Sequence, residues 1–220
     1  MPSPGSRRGR DLKAILLEHG IALAREGGPD AVSLRDVQRR AGVSNSAAYR
    51  HYADRDALLV AISEHASAQM AREMEEQMAS AERQVATAEP GGEPGESARR
   101  RARARFRATG NAYIAFALAE PGLFAVAMHP GAVAPKEEHG PDDRGPGDAG
   151  PHQLLVSCVD ELVTTGVLAA ERRAFTDVAA WAAVHGLAIL LLDGPLSELG
   201  TEESHGAIDR LLDLVDAGLR

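Results

Sequence analysis

One cysteine, Cys158, stands among 220 residues, so the chain has neither an intramolecular disulfide framework nor a multi-cysteine zinc site. It sits in an apolar helical pattern and reads as a small core residue. The eight histidines show no ligand spacing on one helix face, and no metal or other cofactor is expected. There is no G-x-S-x-G elbow, no Gly-rich phosphate loop and no acidic pair in a plausible cleft, so catalysis is not expected. No apolar stretch follows the basic start, which argues against a signal peptide. The longest apolar run, Val178 to Leu192, is too short to span a bilayer and contains His185. A cytoplasmic protein without a membrane partner is the expectation. No segment alternates at period two long enough to demand a sheet, and the expected fold class is all-α.

Charge is uneven along the chain. The net charge is −8, yet residues 1–60 hold ten Lys and Arg against seven Asp and Glu, a net of +3. The remaining 160 residues hold fourteen against twenty-five, a net of −11. The basic end, with Arg7, Arg8, Arg10 and Lys13, would be drawn to duplex phosphates while the acidic body is held away.

That basic end also carries the most informative segment, Ala31 to Leu59. Ser33 suits an N-cap, with Asp36 as its reciprocal partner, and Val32 and Val37 occupy the positions of a hydrophobic staple. Leu34, Val37 and Ala41 share an apolar face, while Arg35, Gln38, Arg39 and Arg40 point elsewhere. Gly42 supplies the freedom for a sharp turn, Val43 plugs it, and Ser44 caps the next helix. In that helix Ala48 and Tyr52 fall on the buried side; Asn45, Ser46, Tyr49 and Arg50 fall on the other. Asp54 caps a third helix running into Leu58 and Leu59. Two short helices joined by a Gly-containing turn make a helix-turn-helix, whose second helix places its N-terminal residues at base edges in the major groove. A plain three-helix packing unit is the alternative reading of the same geometry.

These residues, together with an amphipathic lead helix from about Asp11 to Arg25, resemble the N-terminal DNA-binding domain of the TetR family of transcriptional regulators. The matching motifs are Ser33-Leu34-Arg35, Gly42-Val43-Ser44, Tyr49-Arg50-His51-Tyr52 and Asp54 to Leu59. Farther on, Trp181 followed by His185-Gly186 resembles the subgroup named for a Trp…His-Gly signature in its C-terminal domain. The resemblance implies a homodimer on double-stranded operator DNA, most often a repressor released from a palindromic site by a small ligand. Base-edge contacts are assigned by position to Asn45, Ser46 and Ala47, with Ser44 beside them. Tyr49 and His51 are expected on phosphates, as in family members. Arg35 and Arg55 are expected as charge contacts to base or phosphate, and Arg50 suits either purpose. Ala47-Ala48 stand where family members often carry larger residues.

The expected domains are 1–57, the DNA reader, and 58–220, a helical effector-binding and dimerisation domain. Helix one should stop at Gly27-Gly28-Pro29, with Leu12, Ile15, Leu16, Ala22 and Leu23 buried. A long helix follows from about Arg55, then a Pro/Gly breaker at Glu89 to Ser97 read as a mobile loop. Gly131 to Gly150 has no periodicity and reads as a poorly ordered loop. The helix from Arg173 to Leu192 is apolar on most of its circumference and needs cover on several sides. Packing inside one domain would supply that cover. The expected cover is a four-helix bundle across a two-fold axis, using Trp181, Ala183, Leu187, Ile208, Leu211, Leu212 and Val215, in preference to packing inside one domain. Tyr113, Phe116, Phe124, Met128, Leu155 and Trp181 form a candidate pocket for a hydrophobic effector, though core packing explains them as well. The arginines from Arg99 to Arg107 are expected to pair with the acidic helix before them. A helical enzyme or carrier, or a protein–protein adaptor, remains the alternative to a regulator.

Overall fold

In the computed structural model, residues 4–88, 93–129 and 150–219 are described, with side chains from Leu12 onward, and all their regular structure is helical. The helices are α1 (Pro4–Ala31), α2 (Leu34–Ala41), α3 (Asn45–Tyr49), α4 (Arg55–Ala88), α5 (Pro94–Ala119), α6 (Pro121–Ala127), α7 (Pro151–Thr164), α8 (Thr176–Leu192) and α9 (Thr201–Ala217), with a short 3₁₀ turn at Ala170–Arg172. The side chains of Arg7, Arg8 and Arg10, residues 89–92 of the expected breaker, and 131–149 of the expected loop lie outside the described residues. The rest of that breaker is not a loop: α5 begins at Pro94. A proline in the first helical turn gives up an amide that no carbonyl could have used, so it starts a helix as readily as it ends one.

Two compact units divide the chain. The first comprises Met1–Ser67 with Glu120–Asp143, the second Ala68–Ala119 with Arg144–Arg220. This differs from an expected boundary at 57/58, because α4 begins in the first unit and α6 belongs there too.

In the first unit α1 loses helical geometry where expected, at Gly27 (φ −161°, ψ 28°) and Gly28 (φ 65°, ψ −158°). Its inward face is carried by Leu16, Ile21, Leu23 and Ala24. Ile15, expected inside, is 41% exposed, lying one position off that face. Gly20 fits closely under Ile62 and Leu58 of α4, where an added Cβ would stand 3.0 and 3.2 Å from their Cδ1 atoms. At the other end of α1, Gly122 of α6 approaches the backbone: a Cβ there would lie 2.0 Å from the Ala24 carbonyl oxygen. Beside it Arg25 donates from Nε and Nη2 to the two Glu120 carboxylate oxygens, each at 2.9 Å. That pair is half exposed and contributes about 0–1 kcal/mol. Leu123, Phe124 and Val126 are fully buried, and each contributes about 1.5–3 kcal/mol, so apolar packing holds α6 in place.

The second unit has its core where α5, α7, α8 and the C-terminal end meet, around Phe106, Leu155, Cys158, Val159, Leu162 and Leu219. Burial pushes the Cys158 thiol up to about 11, which keeps it protonated and inert. The arginines of α5 pair mostly with later helices, not with the preceding acidic one. Arg103 reaches Asp216 at 2.8 Å, Arg107 reaches Asp213 at 2.7 Å and Asp209 at 3.0 Å, and Arg105 divides between Glu161 and Glu82. No single helix among the described residues is long and apolar enough to cross a membrane.

Candidate nucleic-acid interface

The caps and the turn anticipated between Ala31 and Leu59 are present, except that Asp36 accepts from the Ser33 hydroxyl and not from its backbone amide. Ser33 Oγ accepts from the Asp36 amide at 3.1 Å and donates to the Asp36 carboxylate at 2.6 Å. The Ser33 hydroxyl, and Arg39 after it, hold the Asp36 carboxyl below its usual range. Val32 and Val37 are fully buried as the staple. Gly42 adopts φ 66°, ψ 29°; its amide donates to Arg39 O, and the Val43 amide donates to Gln38 O. These are the paired bonds of a Schellman turn, which needs a left-handed residue and therefore favours glycine. Ser44 Oγ accepts from Ala47 N at 3.3 Å, and Asp54 Oδ1 accepts from Ala57 N at 2.8 Å. Each side-chain cap contributes about 1 kcal/mol.

The unit is tied down from behind. Tyr52 is buried, its hydroxyl donating to Lys13 O at 3.4 Å with the Lys13 ammonium 5.9 Å from the ring centroid. Arg40 forms a two-pronged pair with Glu26 at 2.8 and 2.7 Å, joining α2 to α1. With Ala48 buried too, the polar flank of α3 is turned outward. Ser44, Asn45, Ser46 and Arg50 are exposed, as is Arg35 on α2, and Tyr49 is 50% exposed. Ala47 and His51 are half-buried beside them.

Arg55 departs from expectation. Its Nε donates to Val32 O at 2.9 Å and its Nη2 to Pro29 O at 2.6 Å, with Asp30 at 3.9 Å. Two of its donor groups thus fasten the α1–α2 connection to the start of α4, while its side chain stays 40% exposed. Sequence reasoning missed this because carbonyl acceptors carry no residue signature.

Residues 16–62 match the family profile described as bacterial regulatory proteins, tetR family, and residues 106–215 match the tetracyclin repressor-like C-terminal domain. The chain belongs to the TetR family. It is therefore a DNA-binding regulator and not an enzyme. No curated protein matched the sequence. Among solved structures, one similar chain is a protein of unknown function from Rhodococcus sp. RHA1, 26% identical, with a TM-score of 0.62 over 94% of this chain and 95% of that one. Another is a candidate transcriptional regulator from Pseudomonas aeruginosa PAO1, 20% identical, with a TM-score of 0.53 over 100% of this chain and 96% of that one. At that identity the second likeness speaks for the fold alone.

In this TetR-family chain the second unit joins Trp181 and His185 through Tyr113. The indole N–H donates to the Tyr113 hydroxyl at 3.2 Å, and that hydroxyl lies 2.9 Å from His185 Nδ1. Burial, opposed by the Trp181 bond, pushes the phenol up to about 12. The His152 ring covers the indole, 5.7 Å between centroids. Phe116 is fully buried, and Leu155 lies in the core. Phe124 and Met128 lie in the first unit. The second unit has a groove of about 650 Å³ between α4, α5 and α9, which none of these six residues lines.

The dimer set divides as well. Ile208 and Leu212 are buried within their own unit, Leu212 Cδ2 lying against Gly110, so both belong to the core. Ala183, Leu187, Leu211 and Val215 are half-buried, and Trp181 is 39% exposed. Sequence reasoning missed the outermost apolar residues: Phe175 (78% exposed, φ 60°), Val178 (48%), Ile189 (41%), Leu190 (39%) and Leu214 (55%). On a helix that is apolar all round, periodicity gives no hint of which side is covered.

Proposed function

We propose that the protein is a homodimeric repressor whose two readers bind a palindromic operator in the cytoplasm and are released by a small ligand. The observation that carries this reading is the outward polar flank of α3, held by capped turns on both sides and rooted in α1 through Tyr52 and Arg40. Asn45, Ser46 and Ala47 contact base edges, and Tyr49 and His51 hold phosphates. Arg35 and Arg50 add charge contacts. In a dimer the two recognition helices sit one DNA turn apart, about 34–36 Å. The ligand weakens this complex only through its differential affinity for the two dimer states.

DNA from the gene's own upstream region should be retarded by the protein in a gel-shift series. Its affinity should fall by about a thousandfold between roughly 50 and 200 mM salt, because Lys and Arg displace counterions from phosphates. A shift without salt dependence, or none with any upstream fragment, rejects the reading.

The exposed apolar face of α8 supports a partner copy, since an apolar patch of this extent is seldom left open to water. Ile189→Asp should leave helicity intact and give monomers by light scattering. An unchanged dimer mass would remove this face from the interface.

A further inference from the structure

We propose that the groove between α4, α5 and α9 binds a neutral small molecule carrying a lactam, an amide held cis by a ring, on a compact aliphatic frame. This names the effector class for the regulator described above, and rests on that reading only for its consequence at DNA. The groove's volume of about 650 Å³ falls within the usual range for small-molecule sites. Its apolar lining comes from Ala81, Val85, Ala104, Ala108 and Leu212, mostly side chains too short to fill the space themselves.

Two polar groups line the groove. In one, Arg107 is held by Asp213 at 2.7 Å and Asp209 at 3.0 Å, and it also donates to Asp209 O at 3.4 Å. An anionic ligand would have to displace those carboxylates from the guanidinium, and a cation would have to compete with the guanidinium for them. Neutral molecules escape both costs.

One turn along α5 from Arg107, Asn111 Nδ2 donates to Gln77 Oε1 at 3.0 Å. A primary carboxamide has one oxygen and one NH₂ group. With one bond made between the two, the pair offers an acceptor on one side chain and a donor on the other. Turning both amides over exchanges which residue plays which part and leaves the pattern the same. A lactam, with N–H and C=O on one edge, meets both groups at once. Ser80 and Gln84 extend the polar edge along α4, one and two turns beyond Gln77, while Ala81 and Val85 run beside them. A molecule lying along α4 thus finds a polar edge and an apolar floor in parallel.

The test titrates the full chain, without DNA, with the cyclic dipeptide of two leucines and with its doubly N-methylated form, by calorimetry. Expected is saturable binding at one site per chain, weaker by at least about tenfold for the N-methylated form, which cannot donate. Gln77→Leu and, separately, Asn111→Leu should each weaken the parent probe to a similar degree. Ala108→Leu, which fills the floor, should abolish binding. A repeat with upstream DNA then asks whether the probe lowers the fraction of DNA bound. Absence of saturable binding, equal binding of the N-methylated form, or indifference to all three substitutions overturns the groove assignment while leaving DNA recognition standing. Probe binding with undisturbed DNA occupancy upholds the groove and overturns ligand release.

Discussion

Replacing Gly122 with alanine should cost the protein about 3 kcal/mol or more. The added methyl would sit 2.0 Å from the Ala24 carbonyl oxygen, 3.0 Å from its carbon and 3.1 Å from the Arg25 Cα. All three are backbone atoms of a helix, so no side chain can rotate away. Either α6 lifts off α1, exposing part of Leu123, Phe124 and Val126, or α1 bends. In urea the unfolding midpoint should fall, and the melting temperature should drop by about 6–12 °C in a chain of this size. Gly110 provides the comparison, since its added methyl meets Leu212 Cδ2 at 2.7 Å and Val184 Cγ1 at 3.2 Å. Those are side-chain ends, and Gly110→Ala should be milder because alanine also favours the helix by about 1 kcal/mol. If Gly122→Ala melts within a degree of the native protein, the close approach of α6 to α1 is misplaced.

Loss of operator binding is expected from Tyr49→Ala combined with Arg50→Ala. Tyr49 is 50% exposed and Arg50 is exposed, so their removal uncovers no core. At about 1–3 kcal/mol per contact, the two together should reduce affinity by at least about thirtyfold. Far-UV circular dichroism and oligomeric mass should be unchanged, since Ala48 and Tyr52 on the opposite side still anchor the helix. Retained affinity in the double variant would move the DNA-binding face elsewhere.

The helix-turn-helix was legible because every device in it is local. Ser33 and Asp36, Gly42 and Val43, Ser44 and Ala47, Asp54 and Ala57 bond within a few residues, where residue type decides the outcome. The same is true of the helix break at Gly27 and Gly28. What went unread depends on partners far away in the chain. Arg55 looked like a free cation until its carbonyl acceptors 23 and 26 residues upstream were in view. Ile208 and Leu212 had the stripe an interface would show, but both are already buried within their own unit, Leu212 against Gly110 of α5. The space inside the helical domain was equally hard to read, because aromatic residues at helical spacing mark burial without saying whether space is left over. Gln77 and Asn111, 34 residues apart, carry no shared motif, and only the packing of α4 against α5 brings their amides together.

Trp181 is the only tryptophan in the chain. Its indole is partly open to water, hydrogen-bonded to Tyr113 and flanked by the rings of His152 and His185. Intrinsic emission excited at the red edge of ultraviolet absorption therefore originates from one place on α8. The native sequence thus contains its own optical reporter, able to follow burial of that helix by a second subunit without any dye.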